Sequence, residues 1–258
     1  MSAQEAMVPA PAARHPIDGS GRTALVIGGS SGIGRATAIA FARDGYMVYA
    51  ASRSVDADTL APESGIRCTP VDVCDERSVT DLARRLQSTN PGLDVLVITA
   101  GTARVGRLQD LSPADIERML LEHVVGAFRA VKAMHGLLAA RQGHVIFLLS
   151  RMGRRPRLHG HAYGTAKAAL EHLAGCLALD LAADGIRVNC VSPGAVDTPM
   201  LRANLPFRDP ATALRTEEVA EVIADLAGPR FLGVNDTVID IPGAPAPGRL
   251  GDTPGGAR

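Results

Sequence analysis

The chain has 258 residues, 46% of them hydrophobic, and its 27 Lys and Arg balance 27 Asp and Glu to a formal net charge of zero. This length suffices to bury one large α/β core, and the charge balance excludes an electrostatic drive toward nucleic acid or an anionic membrane as the main binding mode. Five Phe, three Tyr and no Trp leave no aromatic platform for stacking bases, and no run approaches the ~20 apolar residues of a membrane helix.

Residues 1–20 are rich in Ala and Pro without a sustained period, which predicts a disordered leader. The folded domain is expected over residues 21–243. The apolar run 23–27 reads as a strand entering the turn Gly28-Gly29-Ser30-Ser31-Gly32-Ile33-Gly34, and residues 33–44 as a helix burying Ile39, Ala40 and Phe41. Residues 47–51, 66–71 and 94–99 read as further buried strands, and 78–87 has helical spacing at Val79, Leu82, Ala83 and Leu86. Ser112-Pro113-Ala114-Asp115 is a helix start, with Pro in the first turn and Asp at the positive dipole end, and one long helix is expected to about Ala140. A strand at 145–149, a helix at 163–183, a strand at 187–191, a helix at 217–227 and an edge strand at 237–241 complete the series, before a Pro/Gly-rich tail at 244–258. Strands separated by helices imply βαβ units, hence an α/β fold of one domain: a Rossmann-type, doubly wound parallel sheet in three α/β/α layers.

The glycine turn allows close backbone approach, and the helix after it aims free N–H groups and a positive dipole end at a pyrophosphate. Tyr163 and Lys167 are four residues apart on a helix and share a face. An unperturbed Tyr titrates near pH ~10, so an ammonium beside Tyr163 is expected to lower that value and suit the phenol to proton exchange. Ser150, ending the strand at 145–149, offers a second hydroxyl to the same substrate oxygen.

The GxxxGIG spacing, together with Tyr163-Gly-Thr-Ala-Lys167 and Ser150 thirteen residues upstream, resembles the short-chain dehydrogenase/reductase family. Val71-Asp72-Val73 and Ser192-Pro193-Gly194-Ala195-Val196-Asp197-Thr198 extend the resemblance over about residues 22–243. It implies an oxidoreductase in which Tyr163 exchanges the proton, Ser150 binds the substrate oxygen, and Lys167 holds the nicotinamide ribose. The dinucleotide would be bound by Gly28, Ser30, Ser31, Gly32, Ile33 and Gly34, and by Asp72 and Val73 at the adenine. Ala100 and Gly101 would line it after the fourth strand, and Pro193, Gly194, Val196 and Thr198 would meet the carboxamide. NAD-using members tend to carry a carboxylate where this chain has Ser52, and the Arg53 that follows favours NADP(H), with Arg35 assisting.

Three positions depart from the family pattern. Ile27 replaces a Thr and Ile98 an Asn, and a packed pair is expected to replace their polar link. His123 stands where the family has a helix Asn holding a proton-relay water, and it is expected to titrate near neutrality. Arg151, Arg154, Arg155 and Arg157 crowd the loop before Tyr163 and suit an anionic or carrier-linked substrate. Residues 201–214, with Pro206 and Pro210, are expected to form the substrate lid. No metal is expected, although His159, His161 and His172 lie close in sequence. The resemblance implies a homodimer or homotetramer, a small carbonyl or alcohol substrate, and no nucleic-acid or membrane partner. Cys68, Cys74, Cys176 and Cys190 form no CxxC pair, which suits reduced thiols in the cytoplasm. A non-catalytic dinucleotide-sensing regulator and an epimerase or dehydratase of the same fold remain as alternatives.

Overall fold

The computed structural model describes residues 21–54, 65–204 and 210–243. The expected leader, the expected tail and the middle of the expected lid lie outside the described residues. Seven strands form one sheet: β1 (Thr23–Ile27), β2 (Met47–Ser52), β3 (Arg67–Pro70), β4 (Val95–Ile98), β5 (His144–Leu148), β6 (Arg187–Pro193) and β7 (Thr237–Ile241). Their order is β3-β2-β1-β4-β5-β6-β7, and every neighbouring pair is parallel.

The parallel arrangement follows from strands that are apolar on both faces. All five residues of β1 are buried, so helices must cover the sheet on each side. Leu25 and Ile27 join a core with α2 (Glu76–Thr89), α4 (Gly126–Ala139) and α6 (His161–Asp180), while Ala24 and Val26 join one with α1 (Gly32–Arg43) and α8 (Thr216–Ala227). Local signals agree with these placements. Asp75 caps α2 by accepting from Arg77 N–H, and the helix buries the predicted Val79, Leu82, Ala83 and Leu86.

The chain runs outward from β1 through β2 to β3 and then returns to β4 on the other side of β1. Beyond the carboxyl ends of β1 and β4 the connections therefore diverge and leave a crevice, the usual ligand position in such sheets. Two short helices, α5 (Arg151–Arg154) and α7 (Pro199–Asn204), stand in segments that sequence spacing reads as loop. The long helix expected over 112–140 is interrupted. Its start is as predicted: Ser112 and Asp115 form a reciprocal capping box at α3 (Pro113–Leu120). A π-helical turn, Leu121–Val125, then separates α3 from α4. Among the described residues no helix is long and apolar enough to cross a membrane.

Candidate active site

The glycine turn is held by β2 and by Thr99, just past the end of β4. Gly28 has φ 95°, and Gly28 and Gly29 N–H both donate to Ala51 O, at 2.7 and 3.3 Å. A Cβ on Gly34 would overlap Gly28 O and stand 2.5 Å from Thr99 Oγ1, so the turn packs onto Thr99 too closely for any side chain. Thr99 also answers the question raised by Ile27 and Ile98. These two residues are register partners between β1 and β4 and share one core, as expected of a packed pair. Thr99 Oγ1 donates to Ile27 O at 3.1 Å, so one polar link between the segments survives.

Helix α1 begins at Gly32, and its N-cap Ser31 makes no side-chain cap bond, nor does its first turn hold an acidic residue. Its amide end is thus left for an anion. Thr198 lies over the same turn, 3.2 Å from where a Cβ on Gly32 would sit, so the 193–198 segment meets the glycines. At the end of β2, Ser52 Oγ is buried without a hydrogen-bond partner, and Arg53 beside it is exposed. Ser192 Oγ, at the end of β6, is another buried hydroxyl without a partner. Asp72 accepts from Cys74 N–H at 2.9 Å, which shapes the turn after β3, while Arg129 of α4 donates to Cys74 O at 2.8 Å.

Ser150 caps α5 by accepting from Met152 N–H at 3.2 Å. Its neighbour helix α6 comes close because Gly153 has no side chain: a Cβ there would stand 2.8 Å from Ala168 N. Tyr163 and Lys167 are one turn apart on α6, with Nζ 5.7 Å from the phenol ring centre, and Lys167 Nζ donates to Leu148 O at 2.6 Å. Burial pushes the Tyr163 phenol up to about 12, opposed by a hydrogen bond with Ser150. It pushes Lys167 down to about 7, opposed by Cys190. The expectation of an acidified phenol is therefore corrected: withdrawal from water dominates both groups and outweighs the opposing contributions of Ser150 and Cys190.

His123 is also corrected. Its ring is 2% exposed and sits edge-on to Tyr163, with ring centres 5.5 Å apart. Burial, followed by the Lys167 charge, drives its pKa down to about 3, so it does not titrate near neutrality. Nε2 lies 2.7 Å from Thr102 O, and Nδ1 is buried without a partner. Gly101, at φ 135°, makes room for this ring: a Cβ there would lie 2.5 Å from Nδ1. Thr102 and Glu122 are residues that sequence reasoning missed. The available signal was a carboxylate, Glu122, inside the apolar run of 119–125.

The arginine-rich loop is only partly as expected. Arg154 pairs with Glu171 at 3.1 Å and Asp240 at 2.5 Å, and Arg151 Nη1 donates to Pro242 O at 3.4 Å. Together with Arg155 they line a cavity against Asp240, at the β7 edge. Arg157 is exposed and makes no side-chain hydrogen bond or ion pair among the described residues.

The glycine turn, Ser52, Asp72, Ala100, Ser150 and Pro193 thus all stand at the carboxyl ends of consecutive parallel strands, around one crevice. Residues 22–208 match the family described as short chain dehydrogenase. The chain belongs to that family. This short chain dehydrogenase is 35% identical over 240 residues to the cyclic-di-GMP-binding biofilm dispersal mediator protein of Escherichia coli K12, covering 87% of this chain and 97% of that one. It is 37% identical over 221 residues to cis-4-hydroxycyclohexanecarboxylate dehydrogenase of Sinomonas cyclohexanicum, covering 80% and 89%. A solved short chain dehydrogenase from Salmonella enterica serovar Typhi CT18 superposes with a TM-score of 0.83 at 26% identity, covering 88% of this chain and 98% of that one. The family comprises oxidoreductases that use nicotinamide cofactors. The residues here fit such a group: an unneutralised helix end, a turn with no room for a side chain at Gly28 or Gly34, and buried unpartnered hydroxyls at Ser52 and Ser192.

Proposed function

We propose that this short chain dehydrogenase interconverts a ketone and a secondary alcohol with NADP(H), NADPH being favoured, and that Tyr163 exchanges the proton. The observation that carries this reading is the convergence of Ser150, Tyr163 and Lys167 at the end of β5. The nicotinamide supplies or takes the hydride. As negative charge builds on the substrate oxygen, Ser150 Oγ–H donates to it and the Tyr163 phenol gives it a proton. The Lys167 ammonium, one helical turn away, lowers the cost of the phenolate left behind. Gly28, Ser30, Ser31, Gly32, Ile33 and Gly34 would hold the pyrophosphate, Asp72 and Val73 the adenine, Ala100 and Gly101 the adjacent ribose side, and Pro193, Gly194, Val196 and Thr198 the carboxamide.

A phenol whose pKa is pushed up to about 12 is protonated at neutral pH and poised to donate, which favours reduction. Oxidation needs the phenolate, whose population rises tenfold per pH unit below that pKa. The logarithm of kcat/KM for alcohol oxidation is accordingly expected to climb with slope about 1 up to pH 7, where Lys167 keeps its charge, and less steeply above it as the ammonium is lost. A flat profile would show that the phenol is already ionised.

For the cofactor, a neutral Ser52 and a cationic Arg53 suit a 2′-phosphate. Arg53→Ala is expected to lower kcat/KM with NADPH about tenfold and leave NADH unchanged, the scale of one charged hydrogen bond. Better kcat/KM with NADH in the parent chain would overturn this preference. Substrate trials start best from ring alcohols bearing a carboxylate, the kind of compound named for the Sinomonas relative, with Arg157 as the cation to face it. A screen in which neutral ketones outperform carboxylated ones would overturn that class.

A second reading is a nucleotide-sensing regulator. It is favoured by the name of the Escherichia coli relative and by the cavity between Arg151, Arg154, Arg155 and Asp240. Calorimetry with cyclic-di-GMP, beside NADPH oxidation with a ketone panel, separates the two: the oxidoreductase reading expects turnover, and the regulator binding without it.

A further inference from the structure

Two consecutive residues of the π-helical turn grip a single loop residue. Glu122, 4% exposed, accepts through Oε2 from Thr102 N–H at 2.8 Å and from Thr102 Oγ1–H at 2.7 Å, while its Oε1 accepts from Arg118 Nε–H at 2.9 Å. His123 Nε2 meets the carbonyl of the same Thr102 at 2.7 Å. Neighbours on an α-helix point about 100° apart and do not face each other; here both lie within the π turn, whose wider spiral lessens that divergence.

The grip fixes more than a loop. A carbonyl only accepts, so Nε2 must carry the proton, and the neutral ring is left with its lone pair on Nδ1. The ring so oriented stands edge-on to Tyr163, on a backbone that has space for it only because residue 101 is glycine. Nδ1 is buried and partnerless, an arrangement that costs stability unless the reacting complex uses it.

We propose that Glu122 and His123 form a positioning pair, which clamps Thr102 and thereby locks the His123 imidazole, lone pair inward, against Tyr163. Glu122 acts through Thr102, and His123 through the phenol it backs. This rests on Tyr163 exchanging the proton, but its first test does not. In protein labelled with 15N-histidine, His123 is expected as the Nε2–H tautomer throughout pH 5–8, and Glu122→Gln to mix the tautomers because a weaker acceptor relaxes Thr102. A His123 signal that is Nδ1–H, or that titrates in that range, overturns the proposal whether or not the chain turns over.

The second test uses steady-state kinetics on the full chain. His123→Leu is expected to lower kcat about 10- to 100-fold, the cost of misaiming a proton donor, with KM for NADPH within about twofold. His123→Gln, whose amide N–H still reaches Thr102 O, should recover part of kcat. Glu122→Gln should lower kcat in the parent and have no further effect in His123→Leu, since both act through one path. Additive losses, or a kcat unchanged in His123→Leu, overturn the proposal. Absence of turnover in the parent would sink the oxidoreductase reading and leave the tautomer test standing.

Discussion

Replacing Tyr163 by Phe is expected to lower turnover by about 10³-fold or more while NADPH affinity stays within about threefold of the parent chain. The substitution removes one oxygen and keeps the ring, so the packing against His123 and the cluster of Met119, Ala162 and Ala166 persists. What is lost is the proton source. The donor cannot be replaced by its neighbours. Lys167 donates to Leu148 O and holds its proton only weakly at about 7, while His123, with its pKa at about 3, is neutral at working pH and commits its one N–H to Thr102 O. Ser150 can donate a hydrogen bond but does not release a proton. Single-turnover NADPH oxidation measures the loss, and fluorescence titration of NADPH measures the binding. Retention of most activity would dispose of the role assigned to Tyr163.

Gly34→Ala is the second large effect, and its sign depends on which of two terms wins. Helix propensity favours Ala over Gly inside a helix by at most about 1 kcal/mol, and Gly34 stands in the first turn of α1. Against this, the new Cβ would overlap Gly28 O and lie 2.5 Å from Thr99 Oγ1. The overlapping group is backbone, which cannot swing aside as a flexible side chain would, so the whole glycine turn must move. Displacements near 1 Å typically cost about 100-fold where alignment matters, far more than the propensity gain returns. NADPH affinity is expected to fall about 10- to 100-fold with the fold intact. Circular dichroism and a binding titration test it; a thermally stabilised variant with unchanged affinity would refute the steric argument.

Much of this site was legible because its signals are local. The glycine spacing, the Tyr163–Lys167 interval and the strand ends that carry Ser150, Asp72 and Thr198 are all short-range patterns, and each strand fell within a residue or two of its predicted place. What was not legible is tertiary. Proximity in sequence suggested that Lys167 would acidify Tyr163, yet burial governs both groups. The same holds for His123, whose ordinary pKa says nothing about a ring sealed among Gly101, Thr102 and Tyr163. Sequence gathered the loop arginines toward the substrate, whereas Arg151 and Arg154 reach across to partners on and just beyond β7. The π turn escaped because its apolar spacing reads equally well as ordinary helix, and only the contact with Thr102 distinguishes the two.

That turn also has a bearing on how the chain tolerates changes of length. A π-helical turn is one residue longer than an α-helical one, so Leu121–Val125 amounts to an insertion absorbed inside a continuous rod. Deleting one residue there would restore regular helix while α3 and α4 keep the faces they now present, so Met119 would stay beside Ala162 and Ala166 and Asp115 with Arg104. What would go is the double hold of Glu122 and His123 on Thr102. A deletion outside the turn is the damaging one, since it would rotate one part of the rod against the other by about 100°.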